Sequence, residues 1–109
     1  MDRDRTYLLD ILESARLAVS YVASQTQDEF LGDVQCQDSV IRRLEIMGEA
    51  ARRVSVETRS AHPDLPWSDM IGMRNILAHE YDDVDLAIVW RTVLTQLPGI
   101  VARLESLLA

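Results

Sequence analysis

Leu86, Trp90, Val93, Leu97, Ile100, Leu104 and Leu107 follow one another at alternating steps of four and three residues. That spacing gathers apolar side chains on one side of a helix and leaves the other side polar. Two more stretches obey the same rule. Leu8, Ile11, Ala15, Ala18 and Val22 form one stripe, and Cys36, Val40, Leu44, Met47, Ala51 and Val54 form another. No stretch alternates with period two for long enough to support a sheet. The expected fold is therefore all-α: an up-and-down bundle of four main helices, stabilised mainly by packing these stripes together.

The breaks between stripes set the bundle's corners. Thr26, Asp28 and Gly32 interrupt the first rhythm and predict a turn or a short extra helical segment around Glu29 to Leu31. Pro63 and Pro66 prevent a continuous helix through residues 62–66, and Pro66 suits the first turn of a third helix carrying Ser68 and Asp69 near its positive end. His62, beside a proline, reads as a solvent-exposed loop histidine. Asp82, Asp83 and Asp85 crowd the start of the fourth helix, where N-capping is the simplest role for them. A divalent-metal site would need further oxygen ligands that the sequence does not identify. Pro98-Gly99 interrupts the last stripe without changing its phase, predicting a kink rather than an end.

On the second helix Arg42, Glu45, Glu49, Arg52 and Arg53 gather opposite the apolar stripe. They fit a solvated face laced by i,i+3 and i,i+4 ion pairs, with contact to RNA or a partner as the sharper alternative. Gly48 lowers helix stability relative to alanine, which close approach of another backbone would rationalise.

A chain of 109 residues fits a single domain, 1–109. No apolar run reaches the roughly 18 residues that cross a bilayer, and the charged start at Asp2, Arg3, Asp4 and Arg5 is unlike a secretory signal. No membrane association and a cytoplasmic location are expected. Cys36 is alone, which excludes an intrachain disulfide and a thiolate zinc cluster. The net charge of −7 argues against generic nucleic-acid binding, so any RNA site must be local. All 11 cationic side chains are arginine, whose planar guanidinium suits phosphate or carboxylate.

The densest chemistry lies in RNILAHEY, residues 74–81. With Arg74 at 0° on the third helix, Asn75 falls at about 100° and His79 at about 140°, while Met70, Met73 and Leu77 cluster between about 260° and 320°. The apolar trio is expected to face the bundle. Arg74, Asn75 and His79 then point away from it, with Ala78 among them and Gly72 at their border. Asn75 and His79 are an i,i+4 pair, so the amide can orient the imidazole. Tyr81 lies on the Arg74 edge if the helix reaches it. From chemistry alone, a packing histidine, a half-buried tyrosine anchor and an Arg-Asn brace for a neighbouring helix remain open alternatives.

The pattern Arg74-Asn75, three residues, His79, one residue, Tyr81 resembles the R-N-x-x-x-H-x-Y motif of HepT-like proteins, the toxin branch of the HEPN superfamily. Arg43-Leu44-Glu45-Ile46-Met47-Gly48-Glu49-Ala50, Pro66-Trp67, Gly72-Met73, Val89-Trp90 and Leu97-Pro98 also resemble that family. The resemblance implies a homodimeric, metal-independent endoribonuclease with no cofactor, paired in a type VII-like toxin–antitoxin system with an MNT-type nucleotidyltransferase antitoxin. It implies Arg74 and His79 as the catalytic pair, Asn75 as support, and Tyr81 as the target of AMP transfer by the antitoxin.

Metal-free RNA cleavage needs a base for the ribose 2′-OH, an acid for the leaving 5′-oxygen and a cation for the phosphorane. One chain supplies a single suitable histidine in this stretch. Two copies with these faces apposed supply two His79 and two Arg74, because a twofold interface presents the same patch twice. The competing readings are a non-catalytic HEPN domain that binds nucleotide or scaffolds a nucleotidyltransferase, and a structural dimeriser.

Overall fold

The computed structural model describes residues 2–79 and 83–109, with only the backbone of Asp2 and His79. The described residues contain seven α-helices and no strand: α1 Asp2–Val22, α2 Gln27–Leu31, α3 Val34–Arg53, α4 Val56–Ala61, α5 Trp67–His79, α6 Leu86–Thr95 and α7 Leu97–Leu108. The all-α bundle is as expected. Leu8, Ile11, Ala15, Ala18 and Val22 of α1 are buried, as are Val40, Leu44, Met47 and Ala51 of α3. Among the described residues, no helix is long and apolar enough to cross a membrane.

Local chemistry accounts for where the helices start. Thr26 and Glu29 form a capping box at α2: the Glu29 amide donates to the Thr26 hydroxyl at 3.2 Å, and the Thr26 amide donates to the Glu29 carboxylate at 2.8 Å. This short helix delivers Phe30 to the core against Trp90, with ring centroids 5.4 Å apart. Asp33 caps α3 by accepting from the Cys36 amide at 3.0 Å. Asp85 caps α6 by accepting from the Ala87 amide at 3.0 Å, which is the role expected for that carboxylate; Asp82 lies outside the described residues.

One helix was not foreseen, and two local expectations need correction. Val56–Ala61 is helical, although no stripe announced it, because none of its residues is buried and it is held through its cap. Ser55 caps it, and Asp4 of α1 reaches across: the Ser55 amide donates to Asp4 at 3.0 Å, and the Ser55 and Thr58 hydroxyls each donate at 2.6 Å. His62 is half-buried, not solvent-exposed, because its Nδ1 lies 3.3 Å from the Arg103 guanidinium and its carbonyl accepts from the Trp67 indole at 2.9 Å. Pro66 stands just before α5, with its carbonyl taking the first helical bond from Met70.

The proline break in the last stripe is a single residue. Gln96 closes α6 and opens α7 with φ −110° and ψ −41°, still in the right-handed helical region. Pro98 has no N–H to continue the ladder, yet the retained conformation keeps the stripe in phase. Trp90, Val93, Leu97, Ile100 and Leu104 are all buried.

The packing gives α5 an exposed position. α3 lies between α1 and α5, and α1 also packs on α7, while among the described residues α5 has extensive contact with α3 alone. Leu77 and Met70 turn inward, whereas Ser68, Asp69, Asn75, Ile76 and Ala78 are exposed.

Candidate active site

Arg74 is set in place by the helix behind it. A Cβ on Gly48 would stand 2.1 Å from the Arg74 Cβ and 2.5 Å from the Met70 carbonyl oxygen, so α3 and α5 touch there through a missing methyl group. The expected reason for a glycine in mid-helix is thus met: a second helix passes flush against it. Arg74 consequently faces the α3 side more than a simple split of the helix into inner and outer faces predicts. Its side chain is 32% exposed.

The guanidinium has two protein partners. Nε lies 3.5 Å from Glu49 Oε2, and one terminal nitrogen donates to Asn75 Oδ1 at 3.1 Å. Asn75, exposed on the outer face, therefore offers its carbonyl to Arg74 and retains its amide N–H groups for another acceptor. The expected Asn75–His79 contact involves an imidazole outside the described side chains. His79 itself ends α5, five residues after Arg74. Tyr81 lies outside the described residues.

Glu49 is the hub on the α3 side. Its Oε1 accepts from Arg52 at 2.7 Å and from Arg53 at 2.9 Å, the i,i+3 and i,i+4 pairs expected from the sequence. The Arg52 and Arg53 guanidiniums hold the Glu49 carboxyl down to about 2, well below the usual carboxylate range. The link from Glu49 to Arg74 was not expected. Its sequence signal is the Gly48-Glu49 pair, in which a position open to close approach is followed by a carboxylate.

Two depressions flank α5. One, of about 350 Å³, lies between α1, α3 and α5 and is lined by Tyr7, Arg42, Glu49, Arg53, Arg74 and Ala78 among others. The other, of about 400 Å³, is largely apolar and includes Met70, Met73, Ile76, Ile88, Thr92 and Leu97 in its lining. Ile76 and Ile88 on its rim are 50% and 47% exposed, a pair of branched side chains facing outward on neighbouring helices. Among the described residues no group of three or more His, Cys, Asp or Glu is placed to hold a metal ion.

Residues 11–107 match the family described as Ribonuclease HepT-like. The chain is similar to "Putative RNase MJ1380" of Methanocaldococcus jannaschii, 37% identical over 93% of both chains. It is also similar to "Probable ribonuclease HepT" of Thermococcus cleftensis, 36% identical over 94% of both. A third relative, "Putative RNase TTE0752" of Caldanaerobacter subterraneus subsp. tengcongensis, is 32% identical over 99% of this chain and 96% of its own. No solved structure matches. With a family match that takes in all of the third helix of the bundle and its arginine seat, the chain belongs to the HepT-like ribonuclease family of the HEPN superfamily.

Proposed function

We propose that this chain is a metal-independent endoribonuclease whose cleavage centre is shared between two copies, and that it is the toxin of a toxin–antitoxin pair. The observation that carries the reading is a HepT-like chain whose Arg74-Asn75 pair sits on a helix that, among the described residues, packs extensively on α3 alone. The exposed isoleucines Ile76 and Ile88, on the other flank of α5, support that helix being covered by a second copy, since branched apolar side chains gain by leaving water.

In this mechanism one His79 takes the proton from a ribose 2′-OH as its oxygen attacks the adjacent phosphorus. The bond from phosphorus to the 5′-oxygen breaks, and the partner copy's imidazolium protonates that oxygen. The products are a 2′,3′-cyclic phosphate and a free 5′-hydroxyl. Each proton transfer is worth on the order of 10²–10⁴-fold. Arg74 stabilises the negative charge that builds on the phosphorane. Asn75 braces the Arg74 guanidinium from the same helix.

Control falls to Tyr81 and a nucleotidyltransferase antitoxin. An adenylyl group on Tyr81 places an anionic phosphate within the span of the motif, where it competes with RNA for Arg74. The test is RNA cleavage by purified protein in excess chelator, beside His79→Ala and Tyr81→Phe. Cleavage is expected from the parent and from Tyr81→Phe and not from His79→Ala. Only the parent and His79→Ala are expected to accept AMP from the transferase. Undiminished cleavage by His79→Ala rules out the catalytic assignment, and equal AMP transfer to Tyr81→Phe rules out the modification site.

A further inference from the structure

We propose that Glu49 is the positioning residue for Arg74, holding its guanidinium in the orientation that meets the scissile phosphate. This inference rests on the ribonuclease reading and adds to it a residue from a different helix. Arginines of its own helix hold the Glu49 carboxylate from behind while one of its oxygens faces Arg74. Oε1 is occupied by Arg52 and Arg53 at 2.7 and 2.9 Å, which pins the carboxylate to its own helix. Oε2 accepts from Arg52 Nε at 3.4 Å and is also the oxygen that faces Arg74, 3.5 Å from its Nε.

Arg74 reaches this carboxylate because Gly48 lets its stem lie directly on α3. The glycine sets how near the side chain starts, and the next residue sets where its head points. Asn75 takes a second edge of the guanidinium through a terminal nitrogen. A guanidinium carries five N–H donors, so holding Nε and one terminal nitrogen leaves the remaining edge for phosphate oxygens. A flexible arginine would lose much of this advantage, because the rotamers must then be frozen during catalysis.

A carboxylate beside an RNA site opposes the approach of phosphate, and the arginines around Glu49 offset it. Arg52, Arg53 and Arg74 share the Glu49 carboxylate, and with Arg42, Asp10 and Glu45 of the same depression counted, four positive charges against three negative leave +1. Ordinary stabilisation is a poor explanation for the Arg74 contact. Both side chains are about one-third exposed, 32% and 30%, and ion pairs in that setting contribute little to folding.

The experiment compares single-turnover and steady-state cleavage of RNA by the parent, Glu49→Gln, Glu49→Asp, Arg74→Lys and the double variant Glu49→Gln/Arg74→Lys. Glu49→Gln is expected to lower kcat about tenfold, in the range that slight misplacement of a catalytic group costs, with KM within about twofold. Its dimerisation should match the parent and its thermal midpoint should fall by no more than the few degrees that two largely exposed ion pairs contribute, and Glu49→Asp should recover part of kcat. In the Arg74→Lys background the glutamine is expected to cost little more, because the two residues act as one unit. An active parent with kcat unchanged in Glu49→Gln overturns the proposal, and so does a double variant whose losses multiply in full. A parent that cleaves no RNA removes the ribonuclease reading itself, which separates that failure from this one.

Discussion

Asp4 shows how one carboxylate can join two helices. It is buried, and it accepts from the Ser55 amide and from the Ser55 and Thr58 hydroxyls. These bonds, the Ser55 hydroxyl's first, hold its carboxyl down to about 2. In an unfolded chain an aspartate titrates near about 3.9. The folded value is the lower one, so Asp4 contributes stability fully above about pH 4 and loses it as pH falls toward 2. Asp4→Ala is expected to lower stability by about 1–3 kcal/mol at neutral pH, because it leaves three donors without their acceptor. The gap between parent and variant urea midpoints should narrow steadily from pH 5 to pH 2; a gap independent of pH contradicts the assignment.

At the scale of elements, α5 is the unusual helix. Its inner side is ordinary, with Met70 and Leu77 in the core, but its outer side carries Asn75, Ile76 and Ala78 in the open. Replacing Ile76 with Glu is expected to keep the helical circular-dichroism spectrum, shift the protein to monomer in sedimentation, and abolish cleavage. A stable dimer with normal turnover would place the shared centre elsewhere. The long helices were legible in the sequence because burial on one side writes a period into it, as in α1, α3 and the stripe that spans α6 and α7. α4 was not, because a helix with no buried residue has no stripe, and its anchor, Asp4, lies far away in sequence. The motif on α5 was legible as residue types at a helical spacing. The partner of Arg74 was hidden, since only the close crossing at Gly48 brings Glu49 to it.

Over the whole molecule the charge of −7 limits how RNA can be held. Affinity must come from a few arginines near the proposed cleft, among them Arg74, Arg52 and Arg53, against a background that repels the rest of the strand. The logarithm of RNA affinity is therefore expected to fall with the logarithm of salt at a slope of about −1 to −3, since single strands lose roughly 0.7 per phosphate neutralised. Filter binding of a cleavage-deficient variant between low and moderate salt measures this, and a slope several times steeper would require an extended basic track. The two tryptophans offer a separate way to watch the same molecule. Trp90 lies tilted against Phe30 inside the core, while the Trp67 indole is tied to the His62 carbonyl at the threshold of α5. Replacing either one with phenylalanine leaves a single tryptophan, so its fluorescence, excited beyond the absorption of the three tyrosines, can follow the loosening of the motif helix and the melting of the interior as two distinct optical signals.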